Sequence, residues 1–125
     1  WVLHLGYGWL VIGLLLNALA SVDLVPAAMG IHALTAGSFS TMILAVMSRA
    51  SLGHTGRQLV ASRVTTVAYV ALTLAVILRV AAPLAGDFDS AMIDCAGLFW
   101  ISAFLLFLHQ YLPILIGPRP DGRPG

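Results

Sequence analysis

Hydrophobic positions in this chain run in four long stretches separated by short polar segments, over residues 2–21, 27–48, 61–82 and 90–115. A bilayer is crossed by helices of about 20 apolar residues, because lipid offers backbone polar groups no other partner. Membrane strands are only about 10 residues long and alternate in polarity, which these stretches do not. The pattern predicts an all-α, polytopic transmembrane helix bundle over residues 1–115, followed by a polar tail over 116–125.

Composition agrees with a membrane protein and excludes a soluble domain. Hydrophobic residues make up 60% of the chain and charged residues 9%, whereas soluble domains are about a quarter charged. Trp1 already lies inside a hydrophobic run, with no charged segment and cleavage site to mark a signal peptide. We therefore expect a piece of a longer membrane protein, whose partners are the lipid bilayer and the remaining helices of that protein.

The arginines, which are the only basic residues besides the histidines, are placed asymmetrically. One side of the predicted membrane carries Arg49, Arg57, Arg63, Arg119 and Arg123, and the other carries Asp23, Asp87 and Asp89. Short loops rich in Lys and Arg stay in the cytoplasm, so both ends of the chain are predicted to be cytoplasmic. A net charge of +1 and the absence of a basic stripe give no indication that the chain binds nucleic acid.

Several positions within the spans predict how the helices pack. Small residues at 33, 37, 41 and 45 form a ridge that lets helix backbones approach closely. Asn17 is predicted to bond across to a neighbouring helix, and Pro26 to begin the second span. Arg79 and Asp94 lie at similar predicted depth, so they either pair with each other or extend separately to the interface.

Four histidines, at positions 4, 32, 54 and 109, are candidates for metal chemistry, because imidazole binds haem iron, copper and zinc. None has the spacing of a local metal motif. His32 is predicted near the outer face and the other three near the cytoplasmic face, so His32 cannot share one metal ion with them. The alternatives are packing for His32, interfacial placement for His4, turn hydrogen bonding for His54 and a solvated helix end for His109.

The remaining reactive residues carry no catalytic signature. Cys95 is alone, so this chain can form no internal disulfide or cysteine-based metal knuckle, and a thiol packed among apolar residues is predicted. Paired carboxylates, a nucleophile with its base and a phosphate loop are all missing from the pattern. No catalytic residue is therefore assigned.

Specific blocks of the chain resemble the NnrS family of bacterial membrane proteins. The matching blocks are 1–7 (WVLHLGY), 32–37 (HALTAG), 41–47 (TMILAVM), 48–57 (SRASLGHTGR), 111–115 (YLPIL) and 118–122 (PRPDG). The block at 48–57 is the most specific, and the resemblance is weakest in the third and fourth spans. It implies the last four spans of a protein with about twelve, located in the bacterial inner membrane.

The resemblance also implies cofactors and a physiological role. The resemblance implies that the chain, like the family, belongs to a protein that contains haem and copper. It also implies a link to denitrification and to the nitric oxide response, in which the family relieves nitrosative stress by an unestablished mechanism. His32 and His4 are then candidate haem ligands and Arg79 a candidate partner for a haem propionate. His54 is a candidate for copper or for a structural turn, so the candidate metal ligands are His32, His4 and His54.

A metal-free transporter or permease is the alternative function. In that case His32, Arg79 and Asp94 line a path through the bundle, since intramembrane ionisable residues also serve transport. Haem-based reduction of nitric oxide is a third possibility, for which the chain offers no signature beyond the resemblance.

Overall fold

The structure, a computed structural model, describes residues 1–120 and 122, and over these residues it contains helices and no strand. The predicted fold class is confirmed: four helical spans are long and apolar enough to cross a membrane. They cover Val2–Ala20, Ala27–His54, Arg63–Leu84 and Gly86–Ile116. Arg123, which contributed to the predicted orientation, and Asp121 of the last matching block lie outside the described residues.

Five α-helices make up these spans. They are α1 (Val2–Ala20), α2 (Ala27–His32), α3 (Ser40–His54), α4 (Arg63–Ala81) and α5 (Asp89–Ile116). A π-helical segment, Ala33–Phe39, joins α2 to α3, and two short 3₁₀ turns, Ala82–Leu84 and Gly86–Phe88, join α4 to α5. We call the end of the bundle that bears Arg49, Arg57, Arg63 and Arg119 the basic end, and the end that bears Asp23, Asp87 and Asp89 the acidic end.

The π-helical segment is a feature that hydrophobic periodicity does not predict. A π-helix is rare and occurs mostly as a single turn inserted within an α-helix, frequently at functional sites. Hydroxyl side chains bond to backbone carbonyls here: the Thr35 hydroxyl donates to the Ile31 carbonyl at 2.8 Å and the Ser40 hydroxyl to the Thr35 carbonyl at 3.2 Å. These bonds help to satisfy backbone groups that lipid could not.

The second span continues further than its hydrophobic stretch. Residues 49–54 belong to α3, where the sequence predicted the start of a polar loop. The end of α3 is stabilised from the tail, because Arg119 Nη1 donates to the exposed His54 carbonyl at 2.9 Å. Gly56, at φ 68°, then makes the predicted tight turn in the left-handed region that favours glycine.

Two buried clusters hold the bundle together. The first lies toward the basic end and joins α3, α4 and α5 through Leu44, Tyr69, Leu72, Ala103, Phe107 and Tyr111, among others. The second lies toward the acidic end and joins α1, α2 and α4 through Trp9, Met29, Ala33, Val76 and Val80. The hairpin of α4 and α5 is the most extensive helix pair.

The small-residue ridge of the second span is buried, as its spacing predicts. Ala33, Thr41 and Ala45 are at most 5% exposed. Gly37 lies directly under the Trp9 ring, where an added Cβ would be only 2.9 Å from ring atoms. Close helix approach in this bundle therefore depends on a missing side chain at position 37.

Two packing predictions are wrong. The Asn17 amide donates to the Gly13 carbonyl of its own helix at 2.9 Å, while its side chain packs closely against Gly30, where an added Cβ would be 2.6 Å away. Cys95 is exposed rather than packed, because its face of α5 is not covered by another helix. Pro26 does precede the second span as predicted, at the N-cap of α2.

A candidate cofactor pocket at His32

His32 and Arg79 come together at the acidic end of the bundle. His32 is the last residue of α2, immediately before the π-helical segment, and Arg79 lies in the last turn of α4. Both side chains are half-buried. They line one cavity of about 330 Å³, which Ile93 and Trp100 line on the α5 side.

A second cavity of about 270 Å³ adjoins the first. It shares His32, Arg79 and Ile93 with its neighbour and is also lined by Pro83 and Asp89. Together the two cavities surround one imidazole and one guanidinium with otherwise mainly apolar walls. The arrangement can bind a group that combines an apolar body with a negative charge.

The predicted pairing of Arg79 with Asp94 is not formed. Asp94 is exposed and lies outside both cavities that Arg79 lines, because it points away from α4 on the uncovered face of α5. Asp89 is the carboxylate that shares a cavity with Arg79. Within the described chain Arg79 has no ion-pair partner, so its charge is available to a bound carboxylate.

His4 lies in a different cavity, at the basic end. That cavity, of about 220 Å³, is lined by His4 and Arg49 together with the hydroxyl-bearing side chains Ser48, Tyr69 and Tyr111. Since His32 lines the cavities at the acidic end, the structure separates these two candidate ligands as the sequence predicted.

The other two histidines are exposed, as His4 is too. His54 is the last residue of α3 and borders a shallow space with Leu3 and Arg49, while His109 lies on the open face of α5. His32 and His54 belong to the same span and are 22 residues apart (54 − 32), which corresponds to roughly 30 Å along a helix. No group of three or more His, Cys, Asp or Glu side chains that could hold a metal ion forms among the described residues.

Sequence reasoning missed several residues that line these cavities. The sequence pattern marks Asp89 only as a loop charge, and it does not distinguish Trp100 from the other apolar residues of its span. The signal that could have found part of this lining is the presence of Tyr69 and Tyr111 within predicted spans, because a buried tyrosine hydroxyl needs a polar partner. Their partners are distant in sequence, so only the fold brings them together.

The fold and these cavities define a polytopic helical membrane protein with ionisable side chains held between its spans. A family model described as NnrS protein matches residues 1–119, and the chain belongs to the NnrS family. The resemblance of its sequence blocks to this family is thereby confirmed, and membership associates the chain with membrane proteins of the nitric oxide response. No curated protein and no solved structure matches the chain.

Proposed function

We propose that this chain belongs to a haem- and copper-binding membrane protein that relieves nitrosative stress during denitrification, and that His32 ligates the haem. Family membership over residues 1–119 is the observation that carries the proposal. The pocket at His32 adds a physical basis for the haem. The reaction that relieves the stress stays unassigned.

The residues around His32 fit one edge of a haem. A single histidine suffices as an axial ligand to haem iron, and the side chain of His32 has no hydrogen-bond partner in the described chain. Arg79 lines the same cavity and fits a propionate carboxylate, which a guanidinium holds through two parallel hydrogen bonds. Ile93 and Trp100 supply apolar and aromatic surface for the macrocycle.

Each residue of the pocket has a defined task in this proposal. The haem would supply an iron coordination position for nitric oxide. His32 would bind the iron from its position at the junction of α2 and the π-helical segment. Arg79 would orient the cofactor by its charge, and the apolar side chains of α5 would contact the macrocycle.

The described residues do not fit a copper site. Copper in proteins is bound by sets of imidazole, thiolate or thioether ligands, and the candidates His32, His4 and His54 are not gathered into such a set. Copper binding by the whole protein would need donors besides these. The proposal for this chain therefore concerns the haem.

The test of the haem proposal uses the full-length protein purified in detergent. It should show a Soret band and contain iron, and His32→Ala should remove most of both, because the axial ligand is lost. His109→Ala is the matched control, since it removes an exposed imidazole from α5 and should leave the spectrum unchanged. An unaltered spectrum and iron content in the His32→Ala protein would exclude His32 as the ligand.

The alternative, a metal-free transporter or permease, is supported by the two adjoining cavities around His32, Arg79 and Asp89. Ionisable side chains within a span also mark substrate paths. A purified protein that contains neither iron nor copper and shows substrate-dependent flux in vesicles would establish this alternative. Turnover of nitric oxide by the purified protein would instead establish catalysis.

A further inference from the structure

The cavity at the basic end has an unusual concentration of buried hydroxyl groups. Ser48, Tyr69 and Tyr111 all line it, and they are only 3%, 6% and 1% exposed. Buried hydroxyls are costly unless they are hydrogen-bonded. Three of them give the wall of this cavity a polar surface among otherwise mainly apolar residues.

These hydroxyls are held in fixed positions by the helices. The Tyr111 hydroxyl lies 3.0 Å from the Thr65 hydroxyl, which in turn lies 3.1 Å from the Ser62 hydroxyl at the N-cap of α4. The Ser48 hydroxyl donates to the Leu44 carbonyl at 2.7 Å, and its side chain lies beside the Tyr69 phenol. The polar surface is therefore preorganised before any ligand arrives.

The charge of the cavity is positive. Arg49 and His4 are its basic lining residues, and none of the described carboxylates lines it. Arg49 has no ion-pair partner within the described chain. A lone imidazole without cysteine, methionine or carboxylate neighbours is a poor copper site, whereas a guanidinium with hydroxyl donors suits an oxyanion.

The position of the cavity favours a phosphate among the oxyanions. It lies at the end of the spans, where lipid headgroups are found, and its remaining walls include Val2, Leu3, Leu52 and Leu59. Its volume of about 220 Å³ is ample for a phosphate group. We propose that this cavity binds a phosphate group, held by Arg49 and by the hydroxyls of Tyr69 and Tyr111.

Binding can be measured on the full-length protein in a neutral detergent, with thermal unfolding as the readout. Two probes distinguish the sources of the phosphate: inorganic phosphate, and a short-chain phosphatidylglycerol. Stabilisation by phosphate alone indicates a free phosphate site, and stabilisation by the lipid but not by phosphate indicates a headgroup site. Both results support the proposal, and the absence of stabilisation by either probe overturns it.

Variants assign the effect to this cavity. Arg49→Ala should weaken binding by about tenfold or more, because a charge-assisted hydrogen bond is lost, and Tyr69→Phe should weaken it while keeping the ring in place. Arg63→Ala is the matched control, because Arg63 is an exposed arginine of the same end that lines neither this cavity nor the space beside His54. Equal weakening by Arg49→Ala and Arg63→Ala, or no weakening by Arg49→Ala, would contradict the proposal. This readout is independent of haem content.

Discussion

At the scale of single residues, α1 and the second span approach closely where Trp9 packs on Gly37. Trp9 is 9% exposed, and its ring covers the glycine where an added Cβ would be 2.9 Å away. Helices in lipid associate through this kind of packing, since burial of apolar surface drives association only weakly there. The indole N–H of Trp9 is buried without a hydrogen-bond partner, so the ring is held by packing alone.

Gly37→Ala should destabilise the bundle by roughly 1–3 kcal/mol, because the new methyl group forces the Trp9 ring to move. Thermal unfolding of the purified protein in detergent measures the effect. Gly8→Ala is the matched control, since an added Cβ at Gly8 has no neighbour within 4 Å. That control should be neutral or slightly stabilising, because alanine favours the helix over glycine. Equal stabilities for the two variants would show that the close approach is not required.

At the scale of the elements, one side-chain hydrogen bond links the beginning of α4 to the last turns of α5. The Tyr111 hydroxyl and the Thr65 hydroxyl are 3.0 Å apart, and both side chains are 1% exposed. The Tyr111 ring also stacks on Phe107, with 4.7 Å between ring centroids. The bond fixes the register between the two helices of the most extensive pair.

Tyr111→Phe should destabilise the protein by about 1 kcal/mol, the net contribution of a typical hydrogen bond, while the stacked ring is retained. Thr65→Val tests the same bond from the other side but also removes the contact with Ser62. In a double-mutant cycle the two losses should sum to more than the loss in the double variant. Strict additivity would show that the two hydroxyls do not interact.

The elements also show what the sequence could predict. Lipid imposes helices on long apolar stretches, so the four spans follow from composition and length. The small-residue ridge at Ala33 and Gly37 follows from spacing. The π-helical segment could not be predicted, because its residues carry the same hydrophobic pattern as an α-helix. At the end of α3, the His54 carbonyl accepts a hydrogen bond from Arg119, which is distant in the sequence and which no local pattern predicts.

The candidate site was predictable only in part. His32 and Arg79 stand out because ionisable residues are rare in apolar spans, and the structure places them in one cavity. Of the two alternatives for Arg79 and Asp94, the pairing does not form, since similar depth along the helices says nothing about which face each side chain occupies. The hydroxyl-lined cavity at the basic end requires helices α3, α4 and α5 to meet, which no local pattern encodes.

At the scale of the whole molecule, the described arginines other than Arg79 gather at one end of the bundle. Arg49, Arg57, Arg63 and Arg119 lie at one end, and the loop aspartates lie at the other. Loops with arginine stay in the cytoplasm during insertion. We propose on this basis that the basic end, with both ends of this chain, faces the cytoplasm in the bacterial inner membrane.

Cysteine labelling in intact cells tests this orientation. The exposed Cys95 is first replaced by serine, and a single cysteine is then introduced as Gln58→Cys or Asp87→Cys, in the loops at the basic and acidic ends. A membrane-impermeant thiol reagent should label the cysteine at position 87 and reach that at position 58 only after the membrane is opened. The reverse pattern would contradict the proposed orientation.

The π-helical segment between α2 and α3 has a consequence for how chains of this family can vary in length. A π-turn takes up about one residue more than an α-turn. A relative with one residue fewer between positions 33 and 39 could wind this span as a plain α-helix and still present both halves at the same angle. A one-residue deletion in an uninterrupted span instead rotates all that follows by about 100°. Length differences between relatives are therefore expected to accumulate at this segment, because His32 on one side of it and Arg49 on the other then keep their orientations relative to the rest of the bundle.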